Sequence, residues 1–230
     1  MSDDLEQKKM PEVKDLVIDA GLDRKELAGL GIVVGQEVSL EQKAIHLGSE
    51  DFVSGKALDD RIGCFVLVEL AKRLKQSKNE IFFVFTIQEE MGVYGAYGAQ
   101  TSAYNIEPDW AIAVDVTETN DFSENPTKVL GNGPCITVKD GQMIGNKCIN
   151  GWLKGLANEN RIPLQADVSD AGSTDALSIS LSRGGVPSTV LGVAVRNLHS
   201  NIGIASRKDI EHAVGLLESL MKDPPKVCMV

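Results

Sequence analysis

Residues 80–95 read Glu-Ile-Phe-Phe-Val-Phe-Thr-Ile-Gln-Glu-Glu-Met-Gly-Val-Tyr-Gly. Within them, residues 81–87 are a near-continuous apolar run rich in β-formers. The run is too short for a buried helix, so it predicts a buried strand of the kind found in parallel sheets. It ends in two adjacent carboxylates, Glu89 and Glu90, followed by Gly92 and Gly95. Open α/β sheets place their chemistry just beyond the carboxyl ends of strands. Two acids there can divide the work, one holding a metal while the other moves a proton. A solvated pair of acids in a turn is the plainer alternative, and the rest of the chain has to decide.

The texture of the chain changes near residue 56. Before it come short pieces: a strand over residues 15–20, a short helix over 23–30 with Asp23 as its cap, and strands over 36–40 and 44–47. Residues 1–10 read as frayed. This predicts a small β-rich subdomain over residues 1–55, and an α/β domain over 56–230. In the second part, residues 61–74 place Ile62, Phe65, Val66, Leu70 and Leu74 at helical spacing, with basic residues near the end. A helix over 95–105, a strand over 110–116, a polar loop over 118–134 and a strand over 135–139 follow. Then come a helix over 144–160, a strand over 164–168, a helix over 174–183 and a strand over 187–195. Ser206 opens the last helix, to Met221, and Pro224 and Pro225 stop it. The alternation predicts a mostly parallel sheet flanked by helices.

Charge and cysteine usage narrow the function classes. The net charge of −10 argues against nucleic acid as a partner, because phosphate binding needs clustered Lys and Arg. No apolar run approaches the roughly 20 residues of a membrane helix, and the charged N-terminus does not read as a signal sequence. The four cysteines, Cys64, Cys135, Cys148 and Cys228, form no C-x-x-C pair and read as reduced buried thiols, which points to the cytoplasm.

Several acids and one imidazole fall at strand ends or element boundaries. Asp59 and Asp60 precede a helix, Glu89 and Glu90 follow a strand, Asp115 ends the next, and His199 follows the last. A parallel sheet would bring them to one edge. Carboxylates and a histidine are suitable ligands for zinc, cobalt or manganese, and a spare glutamate can take the proton from a metal-bound water. Each residue has a plainer role. The Asp59–Asp60 pair could be an N-cap and a first-turn charge, Asp115 could cap its loop, and His199 could be a hydrogen-bonded surface residue. Convergence is what favours the functional reading.

Seven motifs occur in order: Lys56-Ala-Leu-Asp-Asp-Arg-Ile-Gly63, Gln88-Glu-Glu-Met-Gly-Val-Tyr-Gly-Ala96, Val114-Asp-Val-Thr117, Gly131-Asn-Gly-Pro134, Gly172-Ser-Thr-Asp-Ala176, Ser182-Arg-Gly-Gly-Val-Pro187 and His199-Ser200. The set closely resembles the TET-type dinuclear metallo-aminopeptidases of metallopeptidase family forty-two, whose members are often labelled cellulase M, endoglucanase or glutamyl aminopeptidase. The resemblance covers roughly residues 13 to 222. It implies a three-layer, zinc-peptidase-like sandwich that hydrolyses N-terminal residues from short peptides. It implies two divalent ions, zinc or cobalt or manganese. Asp59 would bridge them, across a cis peptide bond to Asp60. Glu90 and His199 would hold one ion and Asp115 the other. Glu89 would be general base and then acid. Residues 172–176 and 182–187 would shape the wall, and the family implies a homo-oligomer, in its full form a dodecamer.

The sequence also departs from the family. Family members carry a further histidine in a His-x-Asp segment upstream of the Asp-Asp pair. The three histidines here, His46, His199 and His212, do not lie in such a segment. The chain therefore reads as a member lacking its N-terminal third, with residues 13–55 resembling part of the dimerisation domain. That opens a second reading: an impaired or inactive fragment holding one ion only, or completed by another chain. His46 could substitute for the missing ligand, while His212 reads as a surface residue of the last helix. A glycan hydrolase, as the endoglucanase label suggests, is a third.

Overall fold

A computed structural model describes residues 12–91 and 96–224. Residues 1–10, Gly92, Gly95 and Cys228 lie outside the described part. The chain divides into two compact units, Met1–Leu40 and Glu41–Val230.

The first unit holds a short 3-10 turn, Val13–Asp15, and helix α1, Arg24–Gly29. Asp23 caps α1 by accepting from the amides of Lys25 and Glu26, both at 2.8 Å. The Glu26 carboxylate reaches back to the Asp23 amide, completing a capping box. The strands expected over residues 15–20 and 36–40 do not form, and Val17 and Val34 stand exposed. A strand needs a partner edge, and these residues pair with none among the described residues.

The second unit runs β1 (Ile45–His46), β2 (Phe52–Gly55), α2 (Leu58–Arg73), α3 (Tyr97–Ile106), β3 (Ala111–Glu118), β4 (Cys135–Lys139), α4 (Lys147–Asn160), β5 (Gln165–Val168), α5 (Asp175–Ser180), β6 (Ser188–Arg196), β7 (Gly203–Ser206) and α6 (Arg207–Lys222). Its strands form one sheet with β6 at the centre. Along one edge β6 pairs parallel with β3, from Ala111 opposite Ser188 to Glu118 opposite Val195. Its other edge meets β4 at Gly192 and Leu191, then β7 at Val195 and Arg196, both antiparallel. β5 runs parallel to β4, and β2 and β1 extend the sheet antiparallel from β7. The α/β class and the flanking helices stand, but the pairing is mixed. The short return after β6 lets β7 come back antiparallel, where a parallel partner would need a long crossover.

Every residue of β6 except Arg196 is buried, because β6 has neighbours on both edges and helices on both faces. One face carries α2, α4 and α6, packed through Val66, Leu70, Leu153, Leu216 and Leu217 onto Ile136, Leu191 and Val193. On the other, Ala176 of α5 packs on Ala113 and Val190.

The run at residues 81–87 is not a strand of this sheet. Among the described residues, the backbone of 81–86 makes no backbone hydrogen bond; Ile87 is the first to do so, accepting from Gly98 at 3.1 Å. Phe82 and Phe85 are about half exposed. The run instead faces the outer edge of β3 across a cavity of about 930 Å³, lined also by Leu67 and Leu70 of α2 and Ala99 and Ala103 of α3. An apolar run reports proximity to interior space; ladder pairing depends on which edges the chain brings alongside.

Two of the thiols differ from the expectation of reduced, buried cysteines, while Cys135 meets it. Cys64 is free and exposed, and Cys135 is free and buried, its thiol pushed up to about 12 by burial. Cys148 is disulfide-bonded.

A buried carboxylate ties the loop before β4 to α6. Asp209 is fully buried near the start of α6, where Ser206 caps the helix by accepting its amide. Its two oxygens accept from the amides of Gly131 and Gly133 at 2.7 and 2.8 Å. Gly133 has φ +90, and a Cβ there would sit 1.9 Å from the Pro163 carbonyl oxygen, so the motif Gly131-Asn-Gly-Pro134 is a tight docking turn. Asp209→Ala strands both amides and should cost about 2–5 kcal/mol in denaturant unfolding. A loss under about 1 kcal/mol would show that the turn finds other partners.

Candidate metal centre

The acids converge because three segments meet beside β3. α2 is interrupted at its start: Asp59 and Asp60 leave the helical region and are joined by a cis peptide bond. Gly63, one turn on, allows this approach, since a Cβ there would lie 2.6 Å from the Val114 carbonyl oxygen. Its amide donates to Asp60 at 2.7 Å. The Glu89–Glu90 pair is held by the start of α3. The Ala96 amide donates to the Gln88 carbonyl at 2.9 Å, and a Cβ on Gly98 would fall 2.5 Å from the Ile87 nitrogen. Just upstream, the Thr86 hydroxyl donates to Asp175 at 2.6 Å, pinning the segment to α5. His199 sits in the turn between β6 and β7. Ser200 braces that turn, donating to the Asn197 carbonyl at 2.6 Å and accepting from the Ile202 amide at 3.2 Å. Ala57, Gln88 and His199 all have positive φ, between 52 and 61. Non-glycine residues hold that conformation only where surrounding contacts impose it.

The histidine Nε2 lies 3.2 Å from Asp59 Oδ2 and 3.6 Å from Glu90 Oε2. These three residues offer donor atoms all within 4.8 Å of one another, the grouping found among the described residues. Asp115 and Glu89 border the same clefts but stand outside that trio. Asp115 lies inside β3 rather than at its end, and its carboxylate accepts the Val116 amide at 2.7 Å. His46 is exposed on β1 and is not in the group. His212 is half-buried, with Nδ1 enclosed and unpartnered among the described residues, so it is not the surface residue its position in the last helix suggested.

Proximity and burial make the cluster hold protons. Burial, then the charge of Glu90, raises Asp59 to about 6 against the pull of His199. Burial lifts Asp60 to about 7, with Asp59 and Asp175 adding to it and the Gly63 amide opposing. Burial raises Glu89 to about 7, reinforced by Asp175, Glu90, Asp59 and Asp60. Asp115 is pushed well above the ordinary carboxylate range, again first by burial. Burial also raises Asp175, opposed by the Thr86 hydroxyl. Asp60 and Asp175 are thus full members of the acid cluster. In sequence, Asp60 reads as a neighbour of Asp59, and Asp175 as an ordinary first-turn acid after its cap Thr174.

The sign of the pH dependence follows. Folded pKa values above the unfolded ones mean that the fold retains these protons more tightly. The stability contributed by Asp59, Asp60 and Glu89 is full below their ordinary values and is lost as pH rises through about 6 to about 7. Asp121 and Glu211, lowered by Arg196 and Arg73, titrate below that window. With chelator present, Tm should fall between about pH 4.5 and about pH 7.5, and added zinc should restore more at the upper end, where Asp59 has given up its proton. A Tm in chelator that climbs across this window would refute the cluster.

Two clefts open from the acids: the 930 Å³ cavity beside β3, and a second of about 510 Å³ bordered by Thr117, Lys128, Asp140, Asp167, Ser173 and His199.

The family model described as M42 glutamyl aminopeptidase matches residues 1–216. A putative aminopeptidase of Acetivibrio thermocellus is 42% identical over 215 residues, covering 93% of this chain and 64% of the relative. The lysyl aminopeptidase of Pyrococcus furiosus is 29% identical, covering 90% of this chain and 59% of the relative. Among solved structures, the aminopeptidase APDkam598 of Desulfurococcus kamchatkensis superposes with a TM-score of 0.89 at 32% identity, over 94% of this chain and 61% of that one. The TET1 peptidase of Pyrococcus horikoshii, which can assemble into a tetrahedron or a large octahedral shell, gives 0.77 at 30% identity, over 96% and 65%. The chain thus spans about three fifths of the length of the curated relatives it matches.

Proposed function

The chain belongs to the M42 glutamyl aminopeptidase family, and from that premise we propose that it is a metal-dependent aminopeptidase releasing N-terminal residues from short peptides. The observation that carries the reading is the Asp59–Glu90–His199 trio, with the half-buried, proton-holding Glu89 beside it. The donor set suits a divalent ion: two carboxylates and an imidazole are ordinary ligands for zinc, cobalt or manganese. Burial, and after it the charge of Glu90, raises Asp59, and a bound cation would offset both.

In this reading Asp59, Glu90 and His199 would hold one ion, and Asp59 with Asp115 would hold a second. Bound there, divalent ions would supply Lewis acidity toward water and the scissile carbonyl. Glu89 takes the proton of the attacking water and returns it to the leaving amine nitrogen. Its value of about 7 suits both halves of that task near neutral pH. The hydrogen bond between Thr86 and Asp175 anchors to α5 the segment that carries Glu89 three residues on.

A one-ion site is the second reading, since Asp115 lies outside the trio. Elemental analysis after dialysis against trace zinc separates the two. Two ions per chain, with chelator-sensitive release of N-terminal residues, support the full mechanism; one ion supports the half-site. A glycosidase needs carboxylates roughly 5–9.5 Å apart across a sugar, whereas here donor atoms crowd within 4.8 Å. Release of cellulose-derived sugars without peptide cleavage would reverse that judgement. The same proposal includes a homo-oligomer, a cytoplasmic location and a dimerisation role for residues 1–55. Among the described residues no helix is long and apolar enough to cross a membrane.

A further inference from the structure

Resting on the aminopeptidase reading, and naming the substrate class for it, we propose that the smaller cleft accepts a basic side chain on the N-terminal residue, with Asp140 as its counter-charge. The cleft is lined by Asp59, Glu89 and Asp115 of the acid cluster and also by Thr117, Gly192, Asp140 and Ser173. Asp140 is 8% exposed. Its Oδ1 is fully engaged, accepting the amides of Gln142 and Met143 at 2.7 Å each. Its Oδ2 is buried with no hydrogen-bond partner among the described residues, and the same holds for Ser173 Oγ. The two segments are joined by a hydrogen bond from the Gly141 amide to the Gly172 carbonyl at 3.2 Å. Two residues with unmet polar atoms, on neighbouring segments, thus line the cleft. Buried polar atoms of this kind normally find a donor.

The charges in the cleft select which donor. Lys128 is already neutralised, its Nζ 2.8 Å from Asp167 Oδ1 and 2.9 Å from Thr117 Oγ1. Glu118 and Asp140 remain without a balancing cation among the described lining residues, apart from the acids and imidazole assigned to the metals. An acidic side chain would enter as a like charge. An apolar one would fill space but leave Asp140 Oδ2 unmet. An ammonium brings three donors and the opposite charge.

The test compares lysyl, norleucyl and glutamyl p-nitroanilides; norleucine matches the lysine chain but lacks its ammonium. In kcat/KM, lysyl should exceed norleucyl by about 10- to 100-fold, and Asp140→Asn should bring that ratio near one. The substituted amide keeps an oxygen for Gln142 and Met143, so the turn is retained. Equal rates on lysyl and norleucyl substrates, or a glutamyl preference, overturn the inference and leave the aminopeptidase reading standing. Release from none of the three overturns the aminopeptidase reading instead. Calorimetric binding of lysine amide against norleucine amide then judges the pocket alone: a lysine preference lost in Asp140→Asn sustains it, and equal binding removes it.

Discussion

Glu89→Gln should lower kcat by roughly 100- to 10,000-fold while metal content stays at the wild-type value. The substitution keeps the shape of the side chain and removes its ability to carry a proton. The assigned ligands Asp59, Glu90, Asp115 and His199 are untouched. The structure adds a control that a merely structural glutamate would fail. Burial and four neighbouring acids make a charged Glu89 unfavourable in the fold, raising it to about 7. A neutral amide removes that penalty, so the metal-free variant near pH 7.5 should melt no lower than wild type. Loss of turnover with Tm retained marks a proton carrier. A variant turning over at the wild-type rate would remove Glu89 from the mechanism.

Asp59→Ala should give the second large effect, through metal retention. Asp59 belongs to the trio with Glu90 and His199, and its charge also reaches Asp115. It is the one residue shared by both proposed ion positions. Altering even an outer-shell partner of a ligand typically costs 10- to 100-fold in metal affinity, and removing the shared ligand should cost at least about 100-fold. Turnover should fall with it. The apo protein should be no less stable near neutral pH, because one of the mutually repelling acids is gone. If the variant retained two ions through dialysis, Asp59 would not be the bridge.

Much of this was legible in the residues. The helical spacing over residues 61–74 reappears as α2, and the cap residues Asp23 and Ser206 sit at the starts of α1 and α6. The long apolar runs around Ala113 and Val190 became β3 and β6. Asp59, Glu90 and His199, far apart in the chain, stand together. Other features left no local trace. β2 and β7 are short, half-polar segments whose strand character comes from each other's edges. Residues 81–87, strand-like by composition, line a cavity because no described edge lies within pairing reach.

The order of residues sets which side chains are available and most of the local elements that carry them. Caps, periodicity and turn glycines act over a few residues and are written there. Long-range packing alone brings Asp60 and Asp175 into the acid cluster, leaves Asp115 inside its strand and outside the trio, and puts Asp140 and Ser173, each with an unpartnered buried atom among the described residues, in the lining of one cleft. Burial and charge–charge distance set those outcomes, and both depend on which distant segments the fold brings into contact.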